Sequence, residues 1–100
     1  MVKIVWTDEA MKNMLDIHDY IVHRGSKFYA AQTLRKIKSH VKVLSKYIRI
    51  GKIVPEFNAE NIRELIEGNY RIVYRVKDDE LAEIISVYHS YRDMNKLNVK

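Results

Sequence analysis

Residues 62–93 read IRELIEGNYRIVYRVKDDELAEIISVYHSYRD, and this stretch decides the fold. Two polar breaks divide it into three runs. Gly68-Asn69 tolerate the positive φ that a two-residue hairpin loop demands, and Lys77-Asp78-Asp79-Glu80 form the second turn. Between the breaks Tyr70, Ile72, Tyr74 and Val76 alternate with Arg71, Val73, Arg75 and Lys77. A strand with that alternation buries an aromatic and aliphatic face and shows water a largely cationic one. Leu81 to Val87 is apolar on both parities, which suits a more central strand covered on both sides. His89 continues the odd parity beyond it. If the three runs pair as an antiparallel meander, its end brings Arg71, His89, Tyr91 and Arg92 into one neighbourhood.

Working outward, Gly51 to Asn61 is a loop holding the only proline, Pro55, and it returns the chain to the sheet. Ahead of it Ala30, Leu34, Ile37, Val41, Leu44 and Ile48 alternate four and three apart, so a helix capped by Ser26 is expected to run to about Ile50. At about 1.5 Å per residue it would be roughly 35 Å long. Its apolar seam fits either a coiled-coil partner or the near side of a sheet, and Lys27, Arg35, Lys36, Lys38, Lys42, Lys46 and Arg49 occupy its other sides. An earlier helix opens at Thr7, with Asp8 and Glu9 in the first turn, where the unsatisfied amides favour negative charge. Ala10, Met11, Met14, Leu15, His18, Ile21 and Val22 form its apolar face, and Gly25 ends it. Val2 to Trp6 reads as a short strand, while the tail from residue 94 shows no period. The expectation is an α+β fold in one domain, residues 1–100: an N-terminal strand, a two-helix antiparallel hairpin, then a three-stranded antiparallel meander.

One hundred residues, 47% of them hydrophobic, with three glycines and one proline, have the makeup of a folded chain with one core. Zero cysteines exclude disulfides and thiolate chemistry. The start, MVKIVW, reaches Asp8-Glu9 before a signal-peptide apolar core can form, and no run approaches membrane-spanning length. A cytoplasmic protein with no membrane partner is therefore expected. The formal charge of +5 and the pI near 9.5 favour a polyanionic partner: RNA, DNA or an acidic protein segment. The cations such a partner would meet are Lys52, Arg63, Arg71, Arg75 and Arg92.

Most enzyme chemistries lack their parts. His18 and His23 are five apart on one helix, so neither they nor His40 have ligand spacing, and no metal or cofactor is expected. No glycine-rich phosphate loop or dinucleotide fingerprint occurs. What remains is the end of the meander. A histidine can exchange a proton near neutral pH while arginines hold a phosphate, which are the parts of a metal-free ribonuclease that uses the substrate's own 2′-hydroxyl. There Arg71 and His89 would lead, Glu64 could act as base, and Arg92 would assist. Tyr70, Tyr88 or Tyr91 could stack a base or donate a proton. Equally, Arg71 can simply pair with Glu64 across the hairpin, and His89 can be a hydrogen-bonded strand end.

The chain resembles the RelE/ParE superfamily of bacterial toxins from type II toxin–antitoxin modules, also labelled plasmid stabilisation proteins. The residues that carry the resemblance are Trp6 to Ala10 with Leu15 to Ile21, Gly51 to Glu56 (GKIVPE), Ile62 to Leu65, Asn69 to Val76 and Val87 to Asp93. Their order and spacing are most similar to the ParE-like branch. The resemblance implies a growth-inhibiting toxin neutralised by a cognate antitoxin in a hetero-oligomer. For ParE-like members the target is DNA gyrase. RelE-like members cut mRNA at the ribosome, with a strand arginine matching Arg71 and a catalytic residue near His89 or Tyr91. Between Lys46 and Asn61 this chain offers only Lys46, Arg49 and Lys52, sparse beside the lysine-rich active surface of the RelE type. A toxin remnant that binds antitoxin or nucleic acid without poisoning the cell is a further alternative.

Overall fold

A computed structural model describes residues 1–90, so Tyr91, Arg92 and the tail from 94 lie outside the described residues. The elements follow the order β1 (Lys3–Trp6), α1 (Asp8–His23), α2 (Lys27–Val41), a 3₁₀ turn (Lys42–Ser45), β2 (Lys52–Ile53), β3 (Ile62–Glu67), β4 (Tyr70–Asp78) and β5 (Leu81–His89). They form an α+β fold with one five-stranded sheet in the order β1-β5-β4-β3-β2. The expected meander is β3-β4-β5. Two strands extend it: β1 pairs in parallel with β5, from Lys3 opposite Leu81 to Trp6 opposite Ile84, and the two-residue β2 pairs antiparallel with β3.

Local signals place the helices. The Thr7 hydroxyl accepts the amide of Ala10 at 3.1 Å, closing the first turn of α1, and donates to the Ile84 carbonyl at 2.8 Å, which ties the helix start to β5. Gly25, at φ +110°, turns the chain, and the Ser26 hydroxyl accepts the amide of Tyr29 to cap α2. Helix α2 is shorter than its apolar spacing predicts. The α-helix ends at Val41, and the 3₁₀ turn and the following bend carry Leu44 and Ile48 into the core. On α1 the inward face is Ala10, Met14, Ile17 and Ile21. Met11 and Leu15, expected inside, are exposed.

The sheet is covered on both sides. Residues from both helices pack with Leu65, Ile72, Tyr74, Val76, Ala82, Ile84 and Val87 on one face. On the other face Val54, with Phe57 and Ala59 beside it, covers Ile62, Val73, Ile85 and Tyr88. The second face of β4, expected to be open and basic, is therefore partly roofed by the loop between β2 and β3. Period-two alternation shows which residues share a face but not what lies over it.

At the first hairpin only Gly68 takes positive φ (+59°), as in a loop whose first central residue alone needs it; Asn69 does not. The second turn is tighter than Lys77–Glu80: Asp78 pairs with Leu81, and the Asp78 carboxylate accepts the amide of Glu80. The β4–β5 register shifts between Val73 and Tyr74 and again between Val76 and Asp78. Near the first shift the Asn13 side-chain oxygen accepts both the Val87 amide (3.0 Å) and the Ser86 hydroxyl (2.9 Å), so α1 satisfies groups that the disturbed ladder leaves over.

Candidate functional site

Among the described residues, the loop-covered face of the sheet carries a cluster of one arginine and two carboxylates. Glu64 on β3 and Arg71 on β4 project to that side two strand positions apart, with Val73 opposite Glu64 and Tyr88 opposite Arg71. The guanidinium meets Glu64 with two parallel bonds, Nε to Oε1 at 2.5 Å and Nη2 to Oε2 at 3.0 Å. A second carboxylate reaches it from the loop: Glu56 accepts from Nη1 at 3.2 Å and from Nη2 at 3.3 Å. The Tyr88 ring lies 5.6 Å from the guanidinium carbon. Arg71 is thus engaged at all three nitrogens.

The charge states follow. Burial pulls the Arg71 pKa down, but the hydrogen bonds to Glu64 and Glu56 more than reverse it, so the cation is held more firmly than usual. Arg71 holds the Glu56 carboxyl below the ordinary carboxylate range. Burial pushes the Tyr88 phenol up to about 12, which makes it a poorer proton donor. Beside this cluster is an open cleft of about 390 Å³ lined by Lys52, Pro55, Glu56, Glu64, Ile66, Arg71 and Ser90.

Glu56 reaches Arg71 because the loop is pinned at its root. The Tyr74 hydroxyl donates to the Ile48 carbonyl at 2.8 Å and accepts the Gly51 amide at 2.9 Å. A side chain on Gly51 would lie 2.7 Å from both the Glu64 carbonyl oxygen and the Tyr74 ring, so only glycine fits there. Arg63 donates to the carbonyls of Arg49, Gly51 and Glu60, stapling both ends of the loop. The motif GKIVPE is the frame that carries Glu56 to Arg71.

His89 stands elsewhere. Its backbone partner is Tyr70, and its ring meets the Tyr70 ring edge-on at 5.6 Å, on the helix side of the sheet. Arg71 and Tyr88 occupy the opposite side. The structure therefore brings together Arg71, Glu64 and Lys52 from the expected set and separates His89 from them. Arg63 spends its donors on backbone, and Arg75 bonds Glu83 at 3.1 Å. Tyr91 and Arg92 lie outside the described residues. Glu56, Tyr74 and Asn13 are the residues whose roles the sequence does not announce. Glu56, in the loop beside the only proline, is the one that alters the chemistry.

The site thus sits on a mixed five-stranded sheet with a helical hairpin on one side and a pinned, charged loop on the other. The profile of the family described as ParE toxin of type II toxin–antitoxin system, parDE, matches residues 4–94. The chain belongs to that family. Among solved structures it is similar to a chromosomal ParDE toxin–antitoxin system from P. aeruginosa, with a TM-score of 0.75, 23% identity, and coverage of 89% of this chain and 96% of that one. It is also similar to the RelBE2 toxin–antitoxin complex of Mycobacterium tuberculosis, with a TM-score of 0.55, 19% identity, and coverage of 88% and 96%. At those identities the likeness is one of fold. No curated protein matches the chain. No helix among the described residues is long and apolar enough to cross a membrane.

Proposed function

We propose that this protein is the toxin of a two-gene module, silenced in the cytoplasm by a cognate antitoxin, and that its target is DNA gyrase rather than mRNA on the ribosome. The observation that carries the choice of target is the state of Arg71. In-line cleavage of a phosphodiester needs a cation at the phosphate and an acid or base within about 3 Å of the reacting oxygens. Here the arginine that would hold the phosphate is bonded by Glu56 and Glu64, whose charges repel a phosphate. The only histidine at the strand end projects from the other side of the sheet.

An antitoxin has a surface to occupy. Trp6, Met11, Met14, Leu15 and Leu34 line an apolar groove of about 380 Å³ with Lys38 at its rim. Met11 and Leu15 are 55% and 63% exposed, so an amphipathic segment laid there would remove apolar surface from water.

The test incubates purified toxin with gyrase and plasmid DNA. The expected result is loss of supercoiling with accumulation of cleaved complexes, reversed by adding the antitoxin encoded in the adjacent frame. Untouched gyrase together with codon-phased cuts in cellular mRNA would overturn the reading.

A further inference from the structure

We infer that the outer side of α2 and its 3₁₀ turn docks on the phosphate backbone of duplex DNA, through a row formed by Arg35, Lys38, Lys42 and Lys46. The choice of DNA over other polyanions rests on the gyrase reading, since gyrase holds its substrate duplex.

Charge in this chain is segregated. Residues 20–55 contain nine of the 18 lysines and arginines and none of the 13 aspartates and glutamates, so the excess of positive charge comes wholly from this segment. The rest of the chain is net acidic. The arginines of the sheet, by contrast, are engaged: Arg71 by two carboxylates, Arg75 by Glu83, and Arg63 by backbone oxygens. Among the described residues, the longest run of cations with no acidic residue between them is carried through α2 and its 3₁₀ turn.

The row has a definite geometry. Arg35, Lys38 and Lys42 follow at i, i+3 and i+7, so they share a side of the helix over roughly 11 Å, and Lys46 continues the basic segment at the far end of the 3₁₀ turn. All four are exposed, and none forms an ion pair among the described residues. An ordinary solvated face mixes signs. Here like charges stand at i, i+4 (Lys38 and Lys42), which disfavours the helix, and the first turn has no acidic residue where one would help. Helix α1, with Asp8 and Glu9 in its first turn, shows the usual arrangement.

The ligand class follows from what the row lacks. Only Lys38 borders the apolar groove; no pocket lining among the described residues includes Arg35, Lys42 or Lys46, so an acidic peptide following the row finds apolar anchors at one end of it alone. No Phe, Tyr or Trp stands between Arg35 and Lys46, and Tyr47 lies just past its end, so successive single-stranded bases lack a series of rings to stack on. One arginine and three flexible lysines along a helix and its 3₁₀ continuation suit backbone phosphates and read no sequence.

The experiment measures fluorescence anisotropy of a labelled random-sequence DNA duplex with the full-length toxin. Each neutralised phosphate contributes about −0.9 to the slope of log affinity against log salt. Four contacts predict a slope of about −3 to −4, or roughly a hundredfold loss between about 50 and about 200 mM salt. Lys38→Gln combined with Lys42→Gln should flatten the slope by about 2. Absent binding, or a slope unchanged in that variant, overturns the inference, as does comparable binding of polyglutamate or a tenfold or greater preference for an RNA duplex, about 1.4 kcal/mol. Gyrase inhibition is assayed on the same preparations. A toxin that inhibits gyrase without binding DNA removes this inference and leaves the target assignment. One that binds DNA with the stated slope and spares gyrase removes the target assignment and leaves the inference.

Discussion

The phenol oxygen of Tyr74, on the central strand β4, sits between two backbone groups of one loop, donating to Ile48 and accepting from Gly51. Tyr74 is fully buried, and among the described residues this hydroxyl is the hydrogen-bond partner of both groups. Burial raises the phenol pKa, which keeps the hydroxyl protonated and able to donate. Loop and sheet are thereby one unit.

Removing that hydroxyl should loosen the loop before it unfolds the sheet. Tyr74→Phe leaves the Gly51 amide and the Ile48 carbonyl buried without a partner, costing about 1–3 kcal/mol. Gly51→Ala drives a methyl against the Glu64 carbonyl and the Tyr74 ring and should cost about 1–3 kcal/mol by overpacking. Thermal melts should fall by roughly 4–8 °C per kcal/mol in a domain of this size. Hydrogen exchange should accelerate first at the amides of Gly51 and Val54. Unchanged exchange there would show that Tyr74 does not hold the loop.

Much of this architecture is local and therefore legible in the sequence. Thr7 and Ser26 are caps, Gly68 marks the hairpin, and alternation finds β3, β4 and β5 because each signal lies within the residues it organises. The parallel pairing of β1 with β5 is not legible: VKIVW specifies a strand but not a neighbour some eighty residues away. The end of α2 is hidden because Leu44 and Ile48 keep the helical spacing while sitting in a 3₁₀ turn and a bend. The roof over β4 comes from a loop without period.

The opposition of Arg71 and His89 is contained in the sequence. Any even-length turn between β4 and β5 sets odd residues against even ones, so Arg71 faces Tyr88 and His89 faces Tyr70. The two register shifts cancel and leave that parity intact at the strand ends. Glu56 differs, because nothing in GKIVPEFNAE says which cation it will meet.

His89→Gln tests the consequence of that opposition. With His89 against Tyr70 and away from Arg71, the substitution should leave inhibition of supercoiling within about twofold of the parent, less than about 0.5 kcal/mol. A proton-transfer residue would instead cost about 10²–10⁴-fold in RNA cleavage. Growth arrest abolished by His89→Gln, with circular dichroism unchanged, would return His89 to the chemistry.

The Glu56 carboxylate gives stability a defined dependence on pH. Its folded pKa is depressed by Arg71, so the pair stabilises fully above the ordinary carboxylate value of 4.5. That contribution is lost as pH falls through the lower folded value. Glu56→Gln should therefore be less stable than the parent at neutral pH and converge on it in acid. Melting temperatures of both proteins from neutral pH down past 4 should narrow in that direction. A gap that widens in acid would contradict the pairing.

The last prediction separates scaffold from target contact at Arg71. Glu64 is 3% exposed, so Arg71→Ala strands a buried carboxylate and should cost about 3–5 kcal/mol, enough to threaten folding. Arg71→Lys keeps the charge but loses the two-pronged bond to Glu64 and should fall between. Replacing both partners, Arg71→Met with Glu64→Leu, removes the stranded charge and should recover most of the lost stability. A double-mutant cycle read by urea unfolding would then give a coupling well above the 0.2–1 kcal/mol of an exposed pair. If Arg71 serves the scaffold, the folded double variant still inhibits gyrase. If it melts like the parent yet spares gyrase, the guanidinium contacts the target, and the clamp formed by Glu56 and Glu64 must open when the toxin acts.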